Sequence, residues 1–151
     1  MDVVVTGIGL VSALGTQESA WKRLLAGESA IRLRQLFAEL PPLPLALVGG
    51  APACVTSLAI EATSLALADA ALLPPLPDSA VVVGSSRGMQ AQWEMLARTQ
   101  VAERAAMLPA LWLETLPQAA AIGVARSIQT GAAVLSPMAA CATGLWAIAQ
   151  G

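Results

Sequence analysis

The chain contains no histidine and no tyrosine, a single phenylalanine and two cysteines, and charged residues make up only 12% of it. Cys54 and Cys141 are too few for a disulfide framework or a four-thiolate zinc site, and there is no histidine to complete a mixed one. No metal and no cofactor is therefore expected, and this cysteine usage suits a reducing cytoplasm. Eight Lys and Arg against ten Asp and Glu form no basic run of the kind that neutralises phosphates, which sets nucleic acid aside as a partner. The opening "MDVVVTGIG" lacks the cationic stretch of a secretory signal.

Two long uncharged stretches, 40–60 and 127–151, raise the question of a membrane. Pro41, Pro42, Pro44 and Pro52 would repeatedly break a spanning helix in the first. The second carries Ser127, Gln129, Thr130, Ser136, Pro137, Thr143 and Gln150, more polar groups than a lipid-facing segment holds. No membrane span is expected, and both stretches read as buried soluble structure. Apolar residues nevertheless reach 56%, while the charged share is about half of the ~25% found in ordinary domains. Two readings stay open: an alanine-rich composition without further meaning, or a polypeptide whose apolar surface another surface covers.

At 151 residues the expectation is one domain, 1–151. Val3 to Thr6 form a β-branched run closed by Gly7, which predicts a strand buried on both faces. Thr16 is placed to cap a helix with Trp21, Leu24 and Leu25 on one side, and Gly27 sits where a left-handed C-cap belongs. Residues 31–55, rich in Pro and Gly, predict no regular structure beyond a short helix around Leu33 to Leu40. Helix formers over 56–73, with Leu58, Ala62, Leu65 and Leu72 on one side, end at "PPLP". A second strand is expected at "AVVVG", 80–84, then a helix from Met89 to Leu108. Pro117 opens a further helix, Gln118 to Gln129, with Ala121, Ile122 and Ala125 inward. A third strand is expected at 132–136, and a last helix follows Cys141 through Trp146 and Ile148. Strands alternating with helices predict an α/β fold, a mostly parallel sheet with helices on both faces.

Gly7 and Gly9 follow a strand and precede a helix, as in a dinucleotide-binding turn. The third glycine of that fingerprint would fall at Ser12, and no acidic residue ends a second strand at the expected distance. The glycines are better explained by a tight turn. Cys141 has a stronger case. At the first turn of a helix, unpaired N–H groups and the helix dipole stabilise a thiolate, the nucleophilic form, and the same N–H groups can receive the oxyanion of an acyl intermediate. Ala139, Ala140, Ala142 and Gly144 are small enough to let an acyl chain approach. Position alone equally suits a buried structural cysteine, which is also the reading for Cys54.

"DVVVTGIGLVSALGTQESAWKRLLAGESAI", 2–31, resembles the opening of the β-ketoacyl-[acyl carrier protein] synthases, and "AACATGLWAI", 139–148, resembles their nucleophile motif. Between them, "IEATSLALADAALLP", "VVVGSSRG" and "LPQAAAIGVARSIQTGAAVLSPMAAC" are similar to the family's intervening segments in the same order. The resemblance implies the first half of a thiolase-like fold, usually dimeric. It implies an acyltransferase of fatty acid or polyketide synthesis in which Cys141 takes the acyl group as a thioester. A malonyl group on acyl carrier protein then loses CO₂ and attacks it. The backbone N–H of Cys141 would be one oxyanion donor.

Departures limit what carries over. The family uses two histidines and a lysine from its second half, and this sequence has no histidine. The chain is well under half the usual family length, residues 31–55 look shortened, and the proline expected before the third strand is Ala132. The expectation is thus a truncated N-terminal ketosynthase domain, inactive in condensation by itself and paired with a second copy or a complementary chain. The alternative is a non-enzymatic module that docks onto a complete ketosynthase chain.

Overall fold

The computed structural model describes residues 2–49, 54–99, 103 and 115–151. The chain divides into two compact units, Met1–Cys54 with Glu61–Leu73, and Val55–Ile60 with Pro74–Gly151.

In the first unit the expected opening strand does not form. Residues 2–10 belong to no regular element, and Val3, Val4 and Val5 are 90%, 74% and 80% exposed rather than buried on both faces. A strand needs a neighbour to satisfy its backbone, and among the described residues nothing pairs with this one. The first pairing is a small antiparallel hairpin of β1 (Val11–Ser12) and β2 (Gly15–Thr16), in which Ser12 Oγ donates to the Gly15 carbonyl at 2.9 Å. Helix α1 (Gln17–Leu25) begins directly after Thr16, whose side chain makes no capping bond. It ends as expected at Gly27, φ +71°. The Gly27 N–H reaches the Leu24 carbonyl and the Glu28 N–H that of Arg23, the paired bonds of a Schellman cap. Its expected inner face stays outside: Trp21, Leu24 and Leu25 are exposed and only Ala20 is buried.

The segment expected to be irregular, with a short helix near Leu33 to Leu40, is instead a hairpin. Strand β3 (Arg32–Arg34) pairs antiparallel with β4 (Leu43–Leu45), with Leu33 opposite Pro44. Proline is tolerated because β4 is an edge strand. Helix α2 (Val55–Asp69) follows, its first residues counted with the second unit and the remainder with the first. Gly7 and Gly9 are glycines because of this helix. A Cβ on Gly7 would collide with the Ala66 carbonyl, and one on Gly9 with that of Ala62. The Ile8 N–H between them donates to Asp69 Oδ2 at 2.9 Å.

The second unit contains β5 (Val81–Val82), α3 (Gln90–Arg98), α4 (Ala119–Ser127) and β6 (Val134–Leu135). Beyond Thr99 most of the helix expected to reach Leu108 lies outside the described residues. β5 and β6 are the one parallel pair among the described residues, Val81 opposite Val134 and Val82 opposite Leu135. Among the described residues the expected mostly parallel sheet is thus represented by a single pair, and the other two pairings there are antiparallel hairpins. Helix α4 supplies the core with Ala120, Ala121, Val124 and Ala125, joined by Ile128, Val81, Met89 and Leu96. Small side chains let it lie close to its neighbours, so that a Cβ on Gly123 would press on Thr56 of α2. Thr130 Oγ1 donates to the Ser79 carbonyl at 2.7 Å and fixes the exit of α4 to the approach of β5. No helix among the described residues is long and apolar enough to cross a membrane.

Candidate active site

The site is built where β6 hands over to the last helix. Ser136 Oγ donates to the Val83 carbonyl at 3.1 Å, which ties the end of β6 to the end of β5. After Pro137 and Met138 the backbone reverses at Ala140, whose φ of +46° is unusual for a residue with a side chain. That conformation costs about 1–2 kcal/mol and persists only where neighbours hold it. A single turn of 3₁₀ helix, Ala140–Ala142, carries Cys141 and runs directly into α5 (Thr143–Gln150). Cys141 therefore occupies the strand-to-helix turn that the sequence predicts for it.

Thr143 holds this turn. It is buried, and its one hydroxyl works in both directions: Oγ1 donates to the Ala140 carbonyl at 2.7 Å and accepts from the Ala139 N–H at 2.9 Å. Two backbone groups on the N-terminal side of Cys141 are thereby fixed by a residue on its C-terminal side. Gly84, just beyond β5, makes room for it. A Cβ there would lie 2.7 Å from Thr143 Cγ2 and 3.0 Å from the Thr143 carbonyl oxygen.

Cys141 is exposed, in no disulfide, and faces a cavity of about 480 Å³ that it lines with Ser86, Arg87, Met138 and Ala140. Arg87 alone among these carries a charge. Of the small residues flanking the thiol, Ala140 is part of the wall, and Gly144 has open space where a Cβ would project. Cys54 takes no part in this cavity and stands at the start of α2. Sequence reasoning singled out Cys141 and missed Thr143, Gly84 and Arg87. The quoted stretches "VVVGSSRG" and "AACATGLWAI" contain all three, but only the folded β5–β6 pair brings those stretches side by side.

No family model and no curated protein matches this sequence. Solved structures do. The ishigamide ketosynthase/chain length factor aligns with TM-score 0.70 and 21% identity over 89% of this chain and 39% of its own. A β-ketoacyl synthase from Burkholderia phymatum STM815 aligns with TM-score 0.69 and 22% identity, covering 97% of this chain and 41% of its own. The chain has a ketosynthase-like fold. A third relative in structure is a type II polyketide synthase ketosynthase bound to the hexaketide, in complex with its acyl-carrier protein. It aligns with TM-score 0.67 and 18% identity over 88% of this chain and 36% of its own. The ketosynthase-like chain thus spans about two-fifths of the length of the structures it matches.

Proposed function

We propose that this chain is the first, acyl-accepting part of a β-ketoacyl synthase-type acyltransferase, with Cys141 as its nucleophile. The observation that carries the reading is the placement of the Cys141 thiol at a braced strand-to-helix turn facing an open cavity, in a ketosynthase-like fold. The thiolate would add to the carbonyl of an acyl thioester. The tetrahedral oxyanion would be held by N–H groups of the turn, that of Cys141 among them, and would collapse to expel the carrier thiol, leaving the acyl group on Cys141. The chain's own residues make that half-reaction plausible through geometry: Thr143 and Gly84 hold the turn and Ala140 and Gly144 leave room for the acyl chain.

Decarboxylative condensation with a malonyl thioester would need the two histidines that the resemblance implies, and this sequence has none. In this reading 1–151 is the N-terminal part of a thiolase-like domain whose larger parallel sheet, second set of catalytic residues and dimer contacts come from a complementary chain or further sequence. Acyl carrier protein would deliver the acyl group, in fatty acid or polyketide synthesis, in the cytoplasm. Intact-protein mass spectrometry after incubation with a long-chain acyl thioester tests the first step. The expected result is one acyl adduct, on Cys141, absent from Cys141→Ser. No adduct, or an equal adduct on the variant, removes the catalytic reading.

A second reading is favoured by the exposed apolar residues Leu145, Trp146 and Ile148 on α5 and Val3 to Val5 at the N-terminus. In it the chain is a non-enzymatic module that docks onto a ketosynthase chain. Retention of docking by Cys141→Ser, together with no acylation of the parent chain, would select this reading.

A further inference from the structure

The first unit contains a second cavity of about 220 Å³, lined by Ala13, Arg23, Ala30, Arg32, Arg34, Leu45 and Leu47. Three of the eight basic residues in the sequence face this one small space. They come from separate places: Arg23 from α1, Arg32 and Arg34 from alternate positions of β3, which period-two geometry puts on one face of the hairpin. That separation is why the sequence shows no basic run.

Charge in the cavity is not balanced. One carboxylate, Glu28, is bound to Arg23 Nε at 2.7 Å. No acidic side chain answers Arg32 or Arg34 among the described residues. Two guanidinium charges are left over, and like charges held close repel unless an anion joins them. The groups are also pre-set. The Arg23 Nη1 donates to the Leu14 carbonyl at 2.9 Å, and Arg32 Nη1 to the carbonyls of Ser29 and Ile31 at 2.6 and 2.8 Å. Such anchoring restrains two of the three guanidinium groups, while no hydrogen bond engages the Arg34 side chain among the described residues. Guanidinium forks match the paired oxygens of a phosphate group.

We propose that Arg23, Arg32 and Arg34 form a binding site for a compact dianion, the phosphate group of a small phosphate ester or phosphate itself. Two uncompensated charges select a dianion over a monoanion. The volume is several times the roughly 30 Å³ that one water occupies, enough for a phosphate group and bridging water. The site is independent of Cys141 and of the acyl-transfer reading.

Calorimetric titration of the full chain with inorganic phosphate, glycerol phosphate and acetate tests it. Both phosphates are expected to bind, and acetate at least about tenfold more weakly. Binding of glycerol phosphate alone assigns the site to an ester and also supports the proposal. Arg34→Gln is expected to weaken binding by about tenfold, the loss of one charge-assisted contact, and to leave the circular dichroism spectrum unchanged. Absence of heat with both phosphates, acetate binding as well as phosphate, or unaltered affinity in Arg34→Gln overturns the proposal. Binding of a polyglutamate peptide where neither phosphate binds would overturn it too, in favour of an acidic protein surface.

Discussion

Replacing Thr143 by valine keeps the outline of the side chain and removes one oxygen. The Ala139 N–H then loses its side-chain acceptor inside a turn that already carries a left-handed alanine, while the Ala140 carbonyl loses the hydroxyl but keeps the Thr143 backbone N–H. A polar group left without a partner costs about 1–3 kcal/mol when buried, and the Ala139 N–H is only part-buried, so Thr143→Val is expected to destabilise the chain by about 1 kcal/mol in urea unfolding. It should also slow acylation of Cys141 more than Thr143→Ser, which keeps the hydroxyl. A purely structural threonine would show the stability loss in Thr143→Val without a change in acylation rate per folded molecule. The neighbouring strain makes an opposite prediction: Ala140→Gly removes the Cβ that disfavours φ +46° and should raise stability by up to about 1 kcal/mol. At this scale the sequence was informative about chemistry and silent about support. A cysteine among small residues is visible as a nucleophile candidate, whereas a threonine hydroxyl that both donates and accepts becomes visible only once φ values place Ala139 and Ala140 around it.

Local signals set the ends of elements better than their pairing. Gly27 was legible because a helix that ends by reversing needs a residue at positive φ, and the two cap bonds depend on its immediate neighbours alone. No atom would crowd a Cβ at Gly27, so the cost of Gly27→Ala is conformational only, about 1 kcal/mol, measurable as a lowered urea midpoint with unchanged slope. Strand partners were not legible in the same way. Arg32–Arg34 looked irregular because its polar face and its mate, which contains Pro44, both lack a strand pattern, yet antiparallel pairing across the turn makes them a hairpin. Val3 to Val5 carried the strongest strand pattern in the chain and form none, because β structure is completed by a neighbour and not by its own sequence. The parallel pairing of "VVVG" with the run before Ser136 was legible because an intervening helix, α4, is what parallel neighbours require.

For the molecule as a whole, the low charge content and the exposed apolar residues are two views of one property. Leu145 and Ile148 are 73% and 80% exposed on α5, the helix that follows Cys141. Covering a side chain of this size is worth about 1.5–3 kcal/mol, so the pair together could contribute several kcal/mol to an association. If these residues serve association and not folding, Leu145→Glu with Ile148→Glu should shift the chain to a smaller species in size-exclusion chromatography and lower its binding of an apolar dye. The unfolding midpoint should change little, since surface substitutions away from packed features stay within about 0.5 kcal/mol. A parent chain that elutes as a monomer and binds no dye would show instead that the alanine-rich composition closes its own surface. A variant that unfolds readily would show that α5 is packed within the chain.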